Sequence, residues 1–269
     1  MTDSTLLREG RLDEALAELK DQIRKDASNP KHRVYLFQML AVTGEWDRAL
    51  TQLNTLAELD PISLAMAQMY RMALDCEVLR SQVFAGTRTP LILGEPENWI
   101  ALLIQALGHA ARQEFPQAID LQARAFDEAP ATTGSINGQS FEWIADADSR
   151  LGPVLEAVVN GGYYWIPFNR IKQIDIEPPE DLRDVVWMPA HFVWANGGEM
   201  VGVIPTRYPG SERSTDNAIR LARKTDWQDC GNDYYVGLGQ RMFATDAGDF
   251  ALMDVRQITF NTPVDAANA

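Results

Sequence analysis

Two cysteines and three histidines in 269 residues leave few side chains for metal or nucleophile chemistry. Cys76 sits in an apolar stretch of helical character and Cys230 precedes a Gly-Asn-Asp turn. Two thiols are too few for a disulfide framework and lack zinc-site spacing, so a reduced cytoplasmic setting is the simplest expectation. His32, His109 and His191 are widely spaced and carry no cysteine or carboxylate motif beside them, so structural or surface roles are expected for all three. Basic residues are also scarce, 24 against 38 acidic ones, for a formal charge of −14. The deficit is −6 up to residue 135 and −8 after it, so neither half is a basic module. Such a field disfavours nucleic acid and anionic membranes as partners. Met1 to Glu9 holds one basic residue, Arg8, and no apolar core, and no segment nears about 20 apolar residues, so neither a secretory signal nor a membrane span is expected. Gly-x-Ser-x-Gly, Gly-x-x-x-x-Gly-Lys and His-Glu-x-x-His are all missing. Gly237-Leu-Gly239 lacks the third glycine and the helix of a dinucleotide fingerprint, and no cofactor is expected.

What is present is an ordinary globular balance, 46% hydrophobic and 23% charged, enough for a real core in one or two domains. The first half repeats. Gly10-Arg-Leu-Asp-Glu-Ala-Leu-Ala-Glu-Leu19 aligns with Gly44-Glu-Trp-Asp-Arg-Ala-Leu-Thr-Gln-Leu53 at an offset of 34 residues, the period of a tetratricopeptide-like helical hairpin. Leu12, Ala15, Leu16 and Leu19 fall on Trp46, Ala49, Leu50 and Leu53, one helical face. A weaker third copy, Phe115, Ala118 and Ile119, lies 69 residues beyond the second. Asn29-Pro30, Asp60-Pro61 and Glu95-Pro96 place proline where a first helical turn needs no N–H. Helices are predicted near 2–9, 11–27, 30–43, 46–60, 62–84, 97–113 and 115–129, with a loop from Phe84 to Glu95.

After Pro130 the character changes. Ala131 to Gly138 reads as a linker; a short helix is predicted from Leu151 to Asn160 and another from Thr215 to Arg223. Strands are predicted at Tyr163–Phe168, Val185–Met188, Tyr234–Leu238, Arg241–Ala244 and Asp249–Arg256. His191–Ala195 and Glu199–Ile204 flank Asn196-Gly197-Gly198, a strong hairpin signal. The tail from Asn261 to Ala269 is expected to be mobile. The fold class is therefore α+β: a tetratricopeptide-like α-α superhelix over 1–130, then a β-rich domain over 131–269, an antiparallel sheet or open barrel with two short helices.

One constellation invites a chemical reading. Asp146, Asp148 and Arg150 alternate, so two carboxylates and a guanidinium can share one side of an extended segment and hold Mg²⁺ or act as acid and base. The structural alternative is that an aspartate caps the helix near Gly152 while Arg150 pairs with a carboxylate. The acidic run Asp175, Glu177, Glu180, Asp181 and Asp184 reads as a solvated loop, and the aromatic group Tyr163, Tyr164, Trp165, Phe168, Trp187 and Trp194 reads mainly as core.

The same region carries a resemblance. Asp146-x-Asp148-x-Arg150-x-Gly152-Pro153-x-Leu155-Glu156, Tyr163-Tyr-Trp165-Ile-Pro167-Phe168, Arg207-Tyr208-Pro-Gly-Ser-Glu212 and Asp216 with Leu221-Ala-Arg223-x-Thr225-x-Trp227 resemble the ImpE family, also called SciE-type or TagJ, accessory proteins of type VI secretion. The resemblance spans essentially the whole chain. It implies a non-enzymatic adaptor, with the small subunit of the contractile sheath and a ClpV-type AAA+ ATPase as protein partners, and it brings no catalytic residues. With a helical-repeat groove as the contact surface, Trp46, Leu53, Arg33 and Phe37 are the residues expected to meet a partner helix. A carboxylate-based metal-dependent enzyme using Asp146, Asp148 and Arg150, or a scaffold for another complex, are the alternatives.

Overall fold

The computed structural model describes residues 5–261. The predicted start of the first helix before Thr5 and the predicted mobile tail after Asn261 lie outside the described residues. Helices α1 (Thr5–Arg8), α2 (Leu12–Lys25), α3 (Pro30–Val42), α4 (Trp46–Leu59) and α5 (Leu64–Phe84) come first, followed by the short strand β1 (Leu91–Ile92) and helices α6 (Asn98–Ala111) and α7 (Phe115–Glu128).

Local chemistry sets these boundaries. The Asn29 side chain accepts from Lys31 N and that of Asp60 from Ile62 N, so each Asx-Pro pair opens a helical turn as expected. Glu95-Pro96 does not, because α6 begins two residues later at Asn98. Gly10 and Gly44 stand two residues ahead of α2 and α4 with φ of 75° and 71°, and Gln113 holds the equivalent place before α7 at φ 61°. The third copy thus keeps the left-handed turn of the repeat after losing its glycine. Leu12, Ala15 and Leu19 on α2, Ala49 and Leu53 on α4, and Ala118 on α7 are all buried, as the shared face requires.

The second half holds thirteen of the strands: β2 (Gly134–Ile136), β3 (Gln139–Phe141), β4 (Ile144–Asp146), β5 (Val154–Val159), β6 (Gly162–Pro167), β7 (Ile171–Ile176), β8 (Trp187–Trp194), β9 (Glu199–Pro205), β10 (Thr225–Asp229), β11 (Tyr235–Gly239), β12 (Met242–Thr245), β13 (Gly248–Ala251) and β14 (Gln257–Phe260). The one α-helix among them, α8 (Asn217–Arg220), lies between β9 and β10. A nine-stranded sheet runs β1-β6-β5-β9-β8-β7-β14-β2-β3, antiparallel except where β1 joins β6, and smaller sheets are β13-β12-β4 and β10-β11. The β8–β9 hairpin turns through Asn196-Gly197-Gly198, with Gly197 at φ 83°.

Several expectations need correction: the predicted linker Ala131–Gly138 contains β2, and the strand predicted over Asp249–Arg256 ends at Ala251, where a 3-10 turn follows. The segment Leu151–Asn160 holds strand β5, not a helix: all six residues of β5 are buried, sandwiched on both faces, which erases the alternation that marks a half-exposed strand. The helix expected from Thr215 to Arg223 shrinks to the four residues of α8, since Ala222 turns at φ 53° and β10 begins at Thr225. The loop from Phe84 to Glu95 contributes β1, which registers Leu91 with Tyr164 and Ile92 with Trp165 and so ties the helical half to the sheet.

Helix gives way to strand between Glu128 and Gly134, but packing does not respect that border. One buried cluster runs from Leu12, Phe37, Tyr70 and Trp99 into Val154, Val158, Tyr163, Trp165, Trp187 and Val203; a second, including Leu155, Ala157, Val159, Ile166 and Phe192, lies within the β-rich half. Strand β5 therefore alternates between two cores, and Glu156, in step with Val154 and Val158, points toward the helices. No helix among the described residues is long and apolar enough to cross a membrane.

Candidate functional site

A carboxylate facing an apolar helical layer needs a cation, and α5 supplies one. Arg80 Nε and Nη2 reach the two Glu156 carboxylate oxygens at 2.7 and 3.0 Å, and Arg80 also pairs with Glu77, one turn earlier, at 3.4 Å. Arg241, fully buried ahead of β12, bridges Glu156 and Asp146 and donates from Nε to Pro205 O at 2.8 Å. Tyr163 donates its hydroxyl to Glu156 and accepts from Trp165 Nε1 at 2.8 Å, while Trp187 Nε1 donates to Glu77 at 3.0 Å. Tyr208 Oη donates to Asp146 at 3.1 Å. These groups form one buried, cross-half network in which every charge has an opposite neighbour.

Environment separates the three acids electrostatically. Burial would raise Glu156, but Arg80 and Arg241 together hold it down at about 2. Burial pushes Asp146 up to about 6 against the pull of Arg241, and raises Glu77 despite Arg80. Burial raises the Tyr163 hydroxyl too, which keeps it a donor to Glu156.

Asp148 and Arg150 extend the network to the surface. Asp148 Oδ1 accepts from Arg150 N and Nε, both at 2.9 Å, and Oδ2 accepts from Arg150 Nη2 at 2.6 Å and Gly237 N at 2.9 Å. Asp146 Oδ1 accepts from Asp148 N at 2.9 Å. The two aspartates thus shape the loop between β4 and β5; with that segment strand-bound, there is no helix for them to cap. Their oxygens are occupied by arginine, tyrosine and backbone donors, and no group of His, Cys, Asp or Glu among the described residues is arranged to hold a metal ion. The geometry does not favour the carboxylate-enzyme reading.

Arg207 solves a different problem. Its guanidinium is buried away from any carboxylate contact and donates to Val42 O at 2.8 Å and Ala41 O at 3.4 Å, the C-terminal end of α3, and to Arg220 O at the end of α8. A cation there meets the negative ends of two helices. Burial lowers its pKa to about 10, still charged at neutral pH. Arg80 Nη2 donates in turn to Arg207 O at 2.8 Å. Each half therefore sends an arginine into the other.

Above the network opens a cleft of about 860 Å³ between the α3–α4 turn, α5 and the loop after Tyr208. Trp46, Val78, Phe84 and Pro209 supply apolar surface, and Arg48, Arg150, Glu212 and Arg213 supply charge. The charges are matched in place: Arg48 with Glu45, Arg150 with Asp148, and Arg213 with Glu212 at 3.1 Å. The Arg150 guanidinium also lies 4.8 Å from the Phe84 ring centre. Gly44 lets the rim close, since a Cβ there would stand 2.4 Å from Glu212 Cγ.

The cleft unites parts of two sets of predicted residues. Trp46 of the expected groove and Arg150 and Glu212 of the C-terminal motif line it together. Phe37 and Leu53 do not: both are fully buried, Phe37 at 5.4 Å from the Tyr70 ring and 6.4 Å from that of Trp187. Trp187, at the start of β8, covers Phe37, and Leu53 is buried in the same core cluster, so these two side chains are corrected from contact residues to core. Arg33 lies outside the cleft lining and donates to Gln52 at 2.9 Å. Asp146, Asp148, Arg207 and Tyr208 are buried beneath the cleft.

Other expectations also change on folding. His109 meets Glu114 at 2.7 Å and His191 meets Glu199 at 3.2 Å, carboxylate neighbours that sequence adjacency did not reveal. Asp184, read as part of a solvated run, is buried and accepts from Glu180 N and Asp181 N at 2.8 Å. Arg80, Glu77 and Arg241 escaped sequence reading altogether. The available signal was Glu156 itself, one carboxylate within Val154-Leu-Glu-Ala-Val-Val159, which demands a buried cation.

Residues 138–259 match the profile of the family described as ImpE protein, and residues 6–70 match a tetratricopeptide repeat. The type VI secretion system accessory component TagJ of Pseudomonas aeruginosa is 50% identical over 266 residues, covering 99% of this chain and 93% of that protein. The crystal structure of a Vibrio parahaemolyticus protein superposes with a TM-score of 0.88 at 25% identity, covering 98% of this chain and 99% of the other. Family profile and full-length relative agree with the motif that converges on the Arg241 network and the cleft: the chain belongs to the ImpE family.

Proposed function

We propose that this chain is a non-enzymatic accessory component of a type VI secretion system that acts as a cytoplasmic adaptor, using the cleft to bind the small subunit of the contractile sheath, a ClpV-type AAA+ ATPase, or both. The observation that carries this reading is the joining of Trp46 with Arg150 and Glu212 in one open cleft, where Arg48, Arg150 and Arg213 are each already paired with a carboxylate. Paired charges and aromatic walls suit a peptide or helix surface better than a reacting substrate. The 50% identity to a type VI accessory component supports the same setting. The domains proposed for 1–130 and 131–269 then serve as the two walls of one binding site.

Calorimetric titration of the full chain with the small sheath subunit, and separately with the N-terminal domain of the cognate ATPase, tests the reading. Binding to either, weakened at least about tenfold by Trp46→Ala or Val78→Asp, is the expected outcome. Absence of binding to both folded partners overturns the adaptor assignment; binding untouched by either substitution overturns its placement in the cleft.

A further inference from the structure

No residue of strand β10 is buried in the core. Asp226, Trp227, Gln228 and Asp229 are all exposed, yet they hold a regular ladder with β11 from Thr225↔Gly239 to Asp229↔Tyr235. The other side of β11 is fully engaged. Tyr235 N donates to Ser149 Oγ at 2.9 Å, Gly237 N to Asp148 Oδ2 at 2.9 Å and Gly239 N to Ser211 Oγ at 2.8 Å, while Ser149 N and Tyr208 N donate to Tyr235 O and Gly239 O. Because Tyr235, Gly237 and Gly239 turn their backbone groups away from β10, the ladder bonds run through Val236 and Leu238 to Gln228 and Asp226. By the same alternation, the backbone N–H and C=O groups of Thr225, Trp227 and Asp229 point outward. No hydrogen bond joins the outward backbone groups of Trp227 or Asp229 to another described residue. This is an open strand edge of the kind that sheets usually shorten, bulge or cover.

Its side chains describe what fits. Trp227 is 41% exposed and Tyr235 is 39% exposed, and cross-strand register places Asp229 opposite Tyr235 on the face that carries Trp227. Trp227 is held in place at 5.6 Å from the Tyr208 ring, across Gly237, where any side chain would collide with that ring. The stretch from Lys224 to Gly239 has three aspartates, Asp226, Asp229 and Asp233, against the single cation Lys224, which is bound to Asp216 and Asp226 at 2.8 and 3.1 Å. An aromatic face beside carboxylates attracts lysine and arginine through both ring and charge. A second copy of this acidic edge would be repelled by the same aspartates.

We propose that β10 is a strand-addition site that takes an extended, basic segment of a partner protein, with the backbone edge at Trp227 and Asp229 giving the ladder and the aromatic and aspartate side chains selecting cationic residues. No residue of β10 lines the cleft, and the proposal does not depend on the adaptor reading.

The test uses the full chain and a short fluorescein-labelled peptide of alternating lysine and valine, with the glutamate-valine peptide as its counterpart. Binding is followed by anisotropy and by NMR exchange of the Trp227 and Asp229 amides. The lysine peptide is expected to bind and to slow exchange of both amides, and Asp226→Lys combined with Asp229→Lys is expected to weaken it about tenfold or more, with the far-UV spectrum unchanged. Binding without amide protection means charge attraction alone and overturns strand addition. Equal binding of the glutamate peptide, or no binding of either, overturns the proposed chemistry. Protection that appears with protein concentration in the absence of peptide assigns the edge to a second copy and likewise overturns it.

Discussion

Glu156 shows how one residue can fix a chain's architecture. It has two buried arginines, Arg80 from the helical half and Arg241 from the β-rich half, and removing its charge leaves both short of a partner. Glu156→Gln is expected to destabilise the chain by about 3–5 kcal/mol, read as a lower urea midpoint with an unchanged slope. The pH dependence carries a second signature. Glu156, lowered to about 2, contributes stability that is complete above its ordinary value near 4.5 and is lost as pH falls toward 2. Asp146, raised to about 6, acts in the opposite sense: its contribution is present at low pH and is lost as pH rises through about 6. Stability should therefore rise on acidification from neutral pH toward the ordinary carboxylate range, and then fall. Urea midpoints across pH 2 to 7 should show a shallower first limb in Asp146→Asn and a shallower second limb in Glu156→Gln. Asp148 gives a sharper contrast with an enzyme. Its two oxygens take four donors, so Asp148→Asn should cost about 1.5–3 kcal/mol, and Mg²⁺, Mn²⁺ or Ca²⁺ should leave the melting temperature of the parent unchanged. A cation-dependent rise in melting that Asp148→Asn removes would restore the carboxylate-site alternative.

At the scale of elements, legibility followed exposure. Helices α2, α4 and α7 were readable because each shows one face to water, α3 because Asn29-Pro30 opens it, and the β8–β9 hairpin because its turn has a fixed backbone demand. Strand β5 was not, since the stretch Val154–Val159, apolar except for Glu156 and set between Pro153 and Gly161, suits a buried helix and a doubly covered strand equally well. Sequence also separated Trp46 from Glu212 by more than half the chain, and only the close approach at Gly44 joins them. That approach distinguishes two glycines which look equivalent in the repeat. Both need positive φ, but nothing lies within 4 Å of a Cβ at Gly10, whereas Glu212 fills that space at Gly44. Gly10→Ala is expected to cost about 1 kcal/mol through backbone strain alone, and Gly44→Ala more, because the Glu212 loop must also withdraw. Thermal melts of the two variants measure the difference. Partner titration should show a defect in Gly44→Ala only, where the cleft rim moves.

The whole molecule behaves as one cooperative body if the shared core outweighs the border between helix and strand. Trp187 is the test residue: it belongs to β8, yet its ring stacks on Phe37 from α3, lies 5.7 Å from Tyr70 on α5 and 6.1 Å from Trp46 on α4, and its indole N–H holds Glu77. Around it, Arg80 donates to Glu156 and to Arg207 O, and Arg207 donates to Val42 O, across the same seam. Sequence showed a helical region followed by a β-rich one, and it could not show this seam, because packing across a border leaves no periodic trace in either segment. If the halves were independent, the helical signal at 222 nm and tryptophan fluorescence would unfold at different urea concentrations. The shared core predicts coincident transitions and one midpoint. Trp187→Ala, which deletes a fully buried indole, should lower both together by about 3–5 kcal/mol. A shift of fluorescence alone, with the 222 nm midpoint unmoved, would mean that the α3–α5 face stands without its cover, and that the groove expected from the repeats is open to a partner after all.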